Sequence, residues 1–142
     1  MTTIAYKNRQ IACDSRQTSD GTIISDQHRK WVVREDGVTF WLTGDVSAHR
    51  RLVEAWPDGD IGSNHKGVNA LAWDGTELFA VYVDEDGRIS NCPHDLSEPT
   101  AIGSGADHAI TAMDMGADPR TAVAMAARRD CGTGGIIRVS QL

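Results

Sequence analysis

The chain has 142 residues, enough for one domain with one sizeable core. Its net charge of -6 argues against nucleic acid or an anionic membrane as a partner, because both require a basic face. No apolar run approaches the roughly 18 residues of a membrane span, and three cysteines without a CxxC spacing predict neither a disulfide framework nor a metal site.

The first two thirds of the chain predict short strands joined by tight turns. The pairs Asp36-Gly37 and Asp74-Gly75 are strong hairpin signals. Asp45 is suited to cap a helix that Pro57 ends, and the glycine-rich stretch 58–67 predicts a loop. The predicted elements are strands over Thr3–Tyr6, Gln10–Asp14, Arg29–Arg34 and Val38–Thr43, a helix over Val46–Trp56, and strands over Val68–Trp73, Leu78–Val83 and Arg88–Asn91.

The last third predicts two helices and a closing strand. A short strand leads into a helix over Gly105–Met115, which Gly116 closes. The pair Asp118-Pro119 opens a second helix that reaches about Asp130, and residues Ile136–Val139 form the last strand. Two antiparallel sheets covered by helices satisfy this order of elements.

Thr2 is the first candidate for chemistry. Aminopeptidases remove Met1 when the next residue is small, and the product would carry a hydroxyl and a free α-amine on one residue. An α-amine has a pKa near 7.7–8.0, so it can accept a proton from its own hydroxyl near neutral pH. Many proteins begin with Met-Thr, so this pattern alone is weak evidence for a threonine nucleophile.

Asp14 and Lys30 are separated by one predicted hairpin. An ammonium near the threonine hydroxyl would favour its deprotonation, and an aspartate would orient that ammonium. A surface ion pair of little energetic value is the alternative interpretation.

Three glycine-containing segments are also suited to a catalytic site. The N–H of Gly44 precedes a predicted helix, where an oxyanion is stabilised. Ser104 either serves a site or caps the helix that follows it. Asp130 and Thr133 either hydrogen-bond one another or cap the end of a helix. Each segment alone is more typical of an ordinary turn.

Taken together and in order, these segments match one family. They are Thr2-Thr3-Ile4, Ala101-Ile102-Gly103-Ser104-Gly105 and Arg129-Asp130-x-x-Thr133-Gly134-Gly135, together with the spacing from Asp14 to Lys30. The sequence resembles the proteasome β-subunit family of N-terminal-nucleophile hydrolases, most closely its bacterial HslV-type branch. The resemblance runs through nearly the whole chain.

The resemblance implies a role for each matching residue. Thr2 is the nucleophile, Lys30 stabilises its alkoxide and is held by Asp14, and Gly44 donates to the oxyanion. A polar cluster of Ser104, Asp130 and Thr133 surrounds the Thr2 amine. Thr18 binds substrate backbone as an added strand. The residues expected at the specificity pocket are Gln17, His28, Val32, Leu42, Val46 and Arg50.

The resemblance also implies a fold and partners. The expected fold is α+β, a four-layer αββα sandwich of two antiparallel sheets in a single domain over residues 1–142. Its helical layer is shortened, because the loop 58–67 replaces the second of two helices. A ring-like homo-oligomer is expected, fed by an ATPase unfoldase in related systems, with no cofactor or metal. Tryptophan is enriched at interfaces, and four in so short a chain support this assembly: Trp31, Trp41, Trp56 and Trp73.

Three functions are consistent with the sequence. The first is a threonine-type endopeptidase that cleaves peptides or unfolded protein after removal of Met1. The second is a related amidohydrolase acting on a small amide, and the third is a non-catalytic assembly subunit that keeps the fold. The first ten residues lack the apolar core of a secretory signal, which predicts a cytoplasmic protein.

Overall fold

The computed structural model describes residues 1–142, and the chain divides into two compact units. The first unit contains Met1–Lys30 and Leu96–Leu142, and the second unit contains Trp31–Asp95. Both contain antiparallel sheets and helices, which confirms the predicted α+β class. The single domain predicted over residues 1–142 stays a prediction.

A four-stranded antiparallel sheet forms the centre of the first unit. Its strands, in spatial order, are β10 (Thr100–Ile102), β1 (Ile4–Lys7), β2 (Gln10–Cys13) and β11 (Arg138–Gln141). Ala5 pairs with Ala12 on one side and with Ala101 on the other. These small side chains leave room for helices to approach the sheet closely.

Two helices, α2 (Ala106–Asp114) and α3 (Pro119–Ala127), pack on this sheet. Asp118 caps α3 by accepting from the N–H of Thr121 at 2.8 Å, and Pro119 begins it, as predicted. Gly116, at φ +105°, follows α2 and lets the chain turn. The buried cluster between helices and sheet contains Ala5, Ala12, Ala109, Met113, Ala122, Val123 and Ala126.

A hairpin in the first unit was missed by the sequence analysis. Strands β3 (Gln17–Ser19) and β4 (Thr22–Ser25) pair around Asp20 at φ +48° and Gly21 at φ +78°. Positive φ at both turn residues is what a two-residue hairpin turn requires, and Asp-Gly supplies it. The flanking residues are polar or exposed, so no alternation of apolar and polar residues marks the strands.

The second unit contains a five-stranded antiparallel sheet and one helix. Asp45 caps the helix α1 (Val46–Ala55) by accepting from the N–H of Ser47 at 3.0 Å. Buried Leu52 and Phe40 belong to the apolar cluster of helix and sheet. The strands, in spatial order, are β5 (Trp31–Val33), β6 (Thr39–Gly44), β7 (Val68–Trp73), β8 (Leu78–Val83) and β9 (Ile89–His94).

Both predicted hairpins of the second unit are confirmed, and the stretch 58–67 contains no helix or strand. Some boundaries differ. The closing strand begins at Arg138 rather than Ile136, because the N–H of Ile136 bonds to the carbonyl of Asp26 instead of to a strand. Helix α3 ends at Ala127, before the predicted Asp130.

The four tryptophans differ in burial, and the expectation that they lie at an interface stays a prediction. Trp41 and Trp56 are buried, and Trp31 and Trp73 are half-buried. Strand β6 is buried on both of its faces because Trp41 is as apolar as its neighbour Phe40.

No helix of the structure has both the length and the apolar character needed to cross a membrane.

Candidate active site

Asp14 is a fully buried carboxylate held by the backbone of the first unit. It follows Cys13, the last residue of β2. Its Oδ1 accepts the N–H of Thr3 at 3.1 Å, and its Oδ2 accepts the N–H groups of Arg16 at 3.2 Å and Gly134 at 3.0 Å. Three backbone donors stabilise the ionised carboxylate in an interior where an unpaired charge would be costly.

Lys30 places a buried ammonium against Thr2. Its side chain is 4% exposed, and Nζ donates to the Thr2 hydroxyl, to the carbonyl of Arg16 at 2.6 Å and to the carbonyl of Met1 at 3.2 Å. Asp14 Oδ1 lies 3.5 Å from the same Nζ. Burial lowers the pKa of Lys30, and the attraction of Asp14 opposes that shift without cancelling it.

A second polar chain leads from the nitrogen of Thr2 to Asp130. The Thr2 N–H donates to Ser104 Oγ at 3.1 Å, and Ser104 donates to Asp130 Oδ2 at 2.6 Å. Thr133 Oγ1 donates to the same Oδ2 at 2.6 Å. Burial alone would raise the pKa of Asp130, but hydrogen bonds from Ser104, Thr133 and the N–H of Gly132 outweigh it and keep the pKa below its ordinary value.

Ser104 does not cap α2. The capping position belongs to Gly105, and no side chain donates or accepts there. The interpretation of Ser104 as an ordinary N-cap was therefore wrong. Its hydroxyl links the Thr2 nitrogen to Asp130 instead.

Thr3 supports the site and was not singled out from the sequence. Its hydroxyl lies 2.6 Å from Thr133 Oγ1 and donates to it, because the Thr133 hydroxyl proton already goes to Asp130. Gly105 makes this contact possible, since a Cβ there would overlap Thr3 Oγ1 and lie 3.0 Å from Thr133 Oγ1. No periodicity marks Thr3; only its position beside Thr2 could have suggested it.

Met1 lies against Gly132, in the segment between Asp130 and Thr133. Its carbonyl accepts the Thr2 hydroxyl at 2.5 Å, and its side chain contacts Gly132, where a Cβ would leave only 3.1 Å to the Met1 sulfur. Burial and the neighbouring Lys30 lower the pKa of the Met1 amine.

The first unit thus brings together six of the residues predicted to be catalytic. They are Thr2, Asp14, Lys30, Ser104, Asp130 and Thr133. The Thr2 hydroxyl accepts a hydrogen bond from the Lys30 ammonium. The Thr2 nitrogen donates to the Ser104 hydroxyl, which in turn donates to the Asp130 carboxylate. Such groups are suited to nucleophilic attack with local proton transfer.

Three predicted substrate-binding residues also belong to the first unit. Gln17 and Thr18 lie half-buried in β3. His28 is half-buried, and its N–H donates to the carbonyl of Ser15 at 2.9 Å. Burial and then Lys30 lower the pKa of His28.

The remaining predicted residues belong to the second unit. Gly44 ends β6 at φ +93°, and Val32 is exposed in β5. Leu42 is buried in the apolar core, whereas Val46 and Arg50 are exposed on α1. Their parts in an oxyanion site or a specificity pocket stay predictions.

No protein-family model and no curated protein matches this sequence. Solved structures do match. Thiobacillus denitrificans BPH aligns at a TM-score of 0.66 and 18% identity over 99% of this chain and 97% of its own. The same protein in complex with Epoxomicin aligns at 0.66 and 19%, over 99% and 98%.

Eukaryotic HslV from Trypanosoma brucei aligns at a TM-score of 0.68 and 16% identity, over 98% of this chain and 97% of its own. These similarities extend through nearly the whole of each chain. They show that this chain has the proteasome β-subunit or HslV-type fold, as the sequence predicted.

Proposed function

We propose that this chain is a threonine-type endopeptidase that cleaves peptides or unfolded protein with Thr2 as its nucleophile. The observation that carries the proposal is the contact of the Thr2 hydroxyl with the buried ammonium of Lys30. The nitrogen of the same threonine lies 3.1 Å from Ser104 Oγ. A threonine hydroxyl with its own amine as base is an established form of activated nucleophile.

The Met1–Thr2 bond must be cleaved before the site can act. The Met1 carbonyl accepts both the Thr2 hydroxyl and an N–H of Lys30. Its departure frees the hydroxyl proton, releases one ammonium donor and turns the Thr2 nitrogen into a basic amine. The same nitrogen then remains beside Ser104.

The reaction follows from these groups. The Thr2 hydroxyl attacks the substrate carbonyl carbon while its proton passes to the Thr2 amine, and an ester to Thr2 forms as the protonated amine returns the proton to the leaving nitrogen. Water, activated by the same amine, then hydrolyses the ester. A positive charge from Lys30 would lower the pKa of the free Thr2 amine, so more free base would be present at neutral pH.

The cost of the buried charges supports catalysis over a purely structural role. Asp14 and Lys30 are almost completely buried, and a buried ion pair is often no more stabilising than apolar packing of the same volume. A subunit that served only assembly would therefore gain little from this pair. Electrostatic stabilisation of an alkoxide gives the pair a function.

The test compares chains with defined amino termini. Purified ubiquitin fusions are cleaved to yield a chain that begins at Thr2 and one that retains Met1, and both are assayed with fluorogenic peptides, an unfolded protein and a small amide. We expect hydrolysis of the peptides and the unfolded protein by the Thr2 chain only. Activity of the chain that retains Met1 would refute the mechanism, and hydrolysis of the small amide alone would replace the endopeptidase by an amidohydrolase.

Two substitutions in the chain that begins at Thr2 complete the test. Thr2→Ala should abolish hydrolysis, because the nucleophile is lost. Thr2→Ser should keep part of it, because a hydroxyl and an amine remain on one residue. Full activity of Thr2→Ala would contradict the proposal.

We also propose that the chain assembles into a ring-like homo-oligomer. Three large apolar side chains are exposed in the first unit, namely Ile23 and Ile24 on the hairpin and Met115 after α2. Contact between subunits would remove such apolar surface from water, which supports assembly. Light scattering at micromolar concentration checks the proposal, and a mass near the 15.4 kDa of one chain would contradict it. An ATPase partner stays a prediction of the resemblance.

A further inference from the structure

Arg16 lies two residues after Asp14 and forms a two-pronged ion pair. Its Nε lies 2.8 Å from Oδ1 of Asp26, and its Nη2 lies 3.1 Å from Oδ2. The planar guanidinium matches a carboxylate in this geometry, which a lysine cannot reproduce. Arg16 is 20% exposed and Asp26 is 43% exposed, so the pair alone adds little to stability.

The third nitrogen of the guanidinium contacts the segment that follows Asp130. Nη1 donates to the carbonyl of Cys131 at 3.2 Å. At Gly134 there is no room for a side chain, since a Cβ would lie 2.5 Å from the Arg16 Cζ. Asp26 also touches this segment, because its carbonyl accepts the N–H of Ile136 at 3.3 Å.

The main chain of Arg16 contacts the other half of the site. Its carbonyl accepts Nζ of Lys30 at 2.6 Å, and its N–H donates to Oδ2 of Asp14 at 3.2 Å. One residue therefore joins the Lys30–Asp14 pair, through its backbone, to the segment bearing Asp130, through its side chain.

We propose that Arg16, held by Asp26, is a positioning residue that sets the distance between the Lys30 ammonium and the segment bearing Asp130. This inference rests on the proposed function. The guanidinium itself touches neither Thr2 nor the reacting atoms in the mechanism above. It acts by keeping the ammonium on the Thr2 hydroxyl while the Ser104–Asp130 chain holds the Thr2 nitrogen.

The decisive variant is Arg16→Lys in the chain that begins at Thr2. It keeps the positive charge and loses the two-pronged contact. We expect kcat on a fluorogenic peptide to fall about 10- to 100-fold with little change in KM, since a displacement of about 1 Å can cost that much. Asp26→Asn should lower kcat in the same way, and the double variant should lose no more than the worse single variant.

Arg34 provides a matched control. It pairs with Asp36 through two prongs of 3.1 and 2.7 Å and donates to the carbonyl of Val53, but it belongs to the second unit. Arg34→Lys should leave kcat unchanged. An equal fall in kcat in Arg34→Lys, or wild-type kcat in Arg16→Lys, would overturn the positioning role.

A second measurement does not depend on activity. The Lys30 side chain is titrated by NMR with ¹³Cε-labelled lysine, and its signal is assigned by its disappearance in Lys30→Met. We expect the lowered pKa of Lys30 to move back toward its ordinary value in Arg16→Lys, because a displaced ammonium gains water. An unchanged Lys30 titration would overturn the inference even if the chain proved to be no peptidase. Inactivity of the parent chain, with a shifted titration, would refute the proposed function and leave the positioning role standing.

Discussion

The two units of this chain contain similar elements of secondary structure but differ in the side chains that they bury. Each has an antiparallel sheet with helices, but six of the seven buried polar or charged residues belong to the first unit. The one in the second unit is Thr43. The first unit's six are Thr2, Thr3, Asp14, Ser15, Lys30 and Thr133.

The interior of the second unit is an apolar cluster with Leu52 and Phe40 among its members. Such a cluster is favourable because it removes apolar surface from water, and it carries no reactive group. The buried polar groups of the first unit each need a partner, and each has one. Five of them are partnered in the hydrogen bonds around Asp14, Lys30 and Thr133, and the hydroxyl of Ser15 donates to the carbonyl of Ile136. The first unit carries most of this desolvation cost, which the proposed catalytic role explains.

The largest expected effect comes from Lys30. We expect Lys30→Met to lower kcat by a factor of about 10² to 10³, the usual cost of losing one preorganised electrostatic group. Asp14 keeps its three backbone donors in the variant but loses its cation, so we expect a folded chain of lower stability, which circular dichroism and urea unfolding check. Lys7→Met is the control, since Lys7 in the same unit donates to the carbonyl of Met113 at 2.8 Å. Equal activity in Lys30→Met and Lys7→Met would place Lys30 outside the chemistry.

The apolar core around Leu52 in the second unit should respond in stability and not in activity. Leu52 is completely buried, and Leu52→Ala should lower the free energy of unfolding by about 2–5 kcal/mol. Urea unfolding measures the loss, and kcat under native conditions should stay at the parent value. A fall in kcat beyond the unfolded fraction would remove the contrast between the two units.

Gly105→Ala should affect both properties in the first unit. The added methyl would overlap Thr3 Oγ1, so the Thr3–Thr133 hydrogen bond must shift. We expect a loss of about 1–3 kcal/mol in unfolding free energy, typical of overpacking, together with reduced kcat. Thermal unfolding and peptide hydrolysis check this together. Parent values of both would show that the contact is unimportant.

The smallest effect should be a pH dependence from Asp130. Its pKa is held below the ordinary 3.8, so its contribution to stability is present above pH 3.8 and is lost as pH falls through the lowered pKa. The difference in unfolding free energy between the parent chain and Asp130→Asn should therefore shrink as the pH falls below 3.8. Urea titrations at several acidic pH values measure it, and a constant difference would mean that the carboxylate is not stabilised in the folded state.

Local signals in the sequence predicted most of the fold. Asp-Gly turns gave both hairpins of the second unit, and the Asp118-Pro119 pair gave the start of α3, because these residues favour one local geometry. The hairpin β3–β4 was missed because its strands are too polar and exposed to show a periodic pattern. The end of α3 was misplaced because Arg128 and Arg129 are good helix formers, so the composition gives no stop signal at Ala127.

The candidate site was predicted through short segments that match a family, and the structure brings six of those residues together. The supporting residue Arg16 lies in none of these segments, and Thr3 lies in one of them without a role that the match assigns to it. Their contacts join positions more than 100 residues apart, to Thr133 and Cys131, and no local pattern encodes such contacts.

In the proposed mechanism Thr2 becomes the nucleophile once its amine is free. The most direct test of this mechanism is mass spectrometry of the chain that begins at Thr2 after reaction with a threonine-directed covalent peptide inhibitor. We expect one added inhibitor mass, located on Thr2 by fragmentation, and none on Thr2→Ala or on the chain that retains Met1. An adduct on another residue, or no adduct on a folded chain that begins at Thr2, would contradict the mechanism.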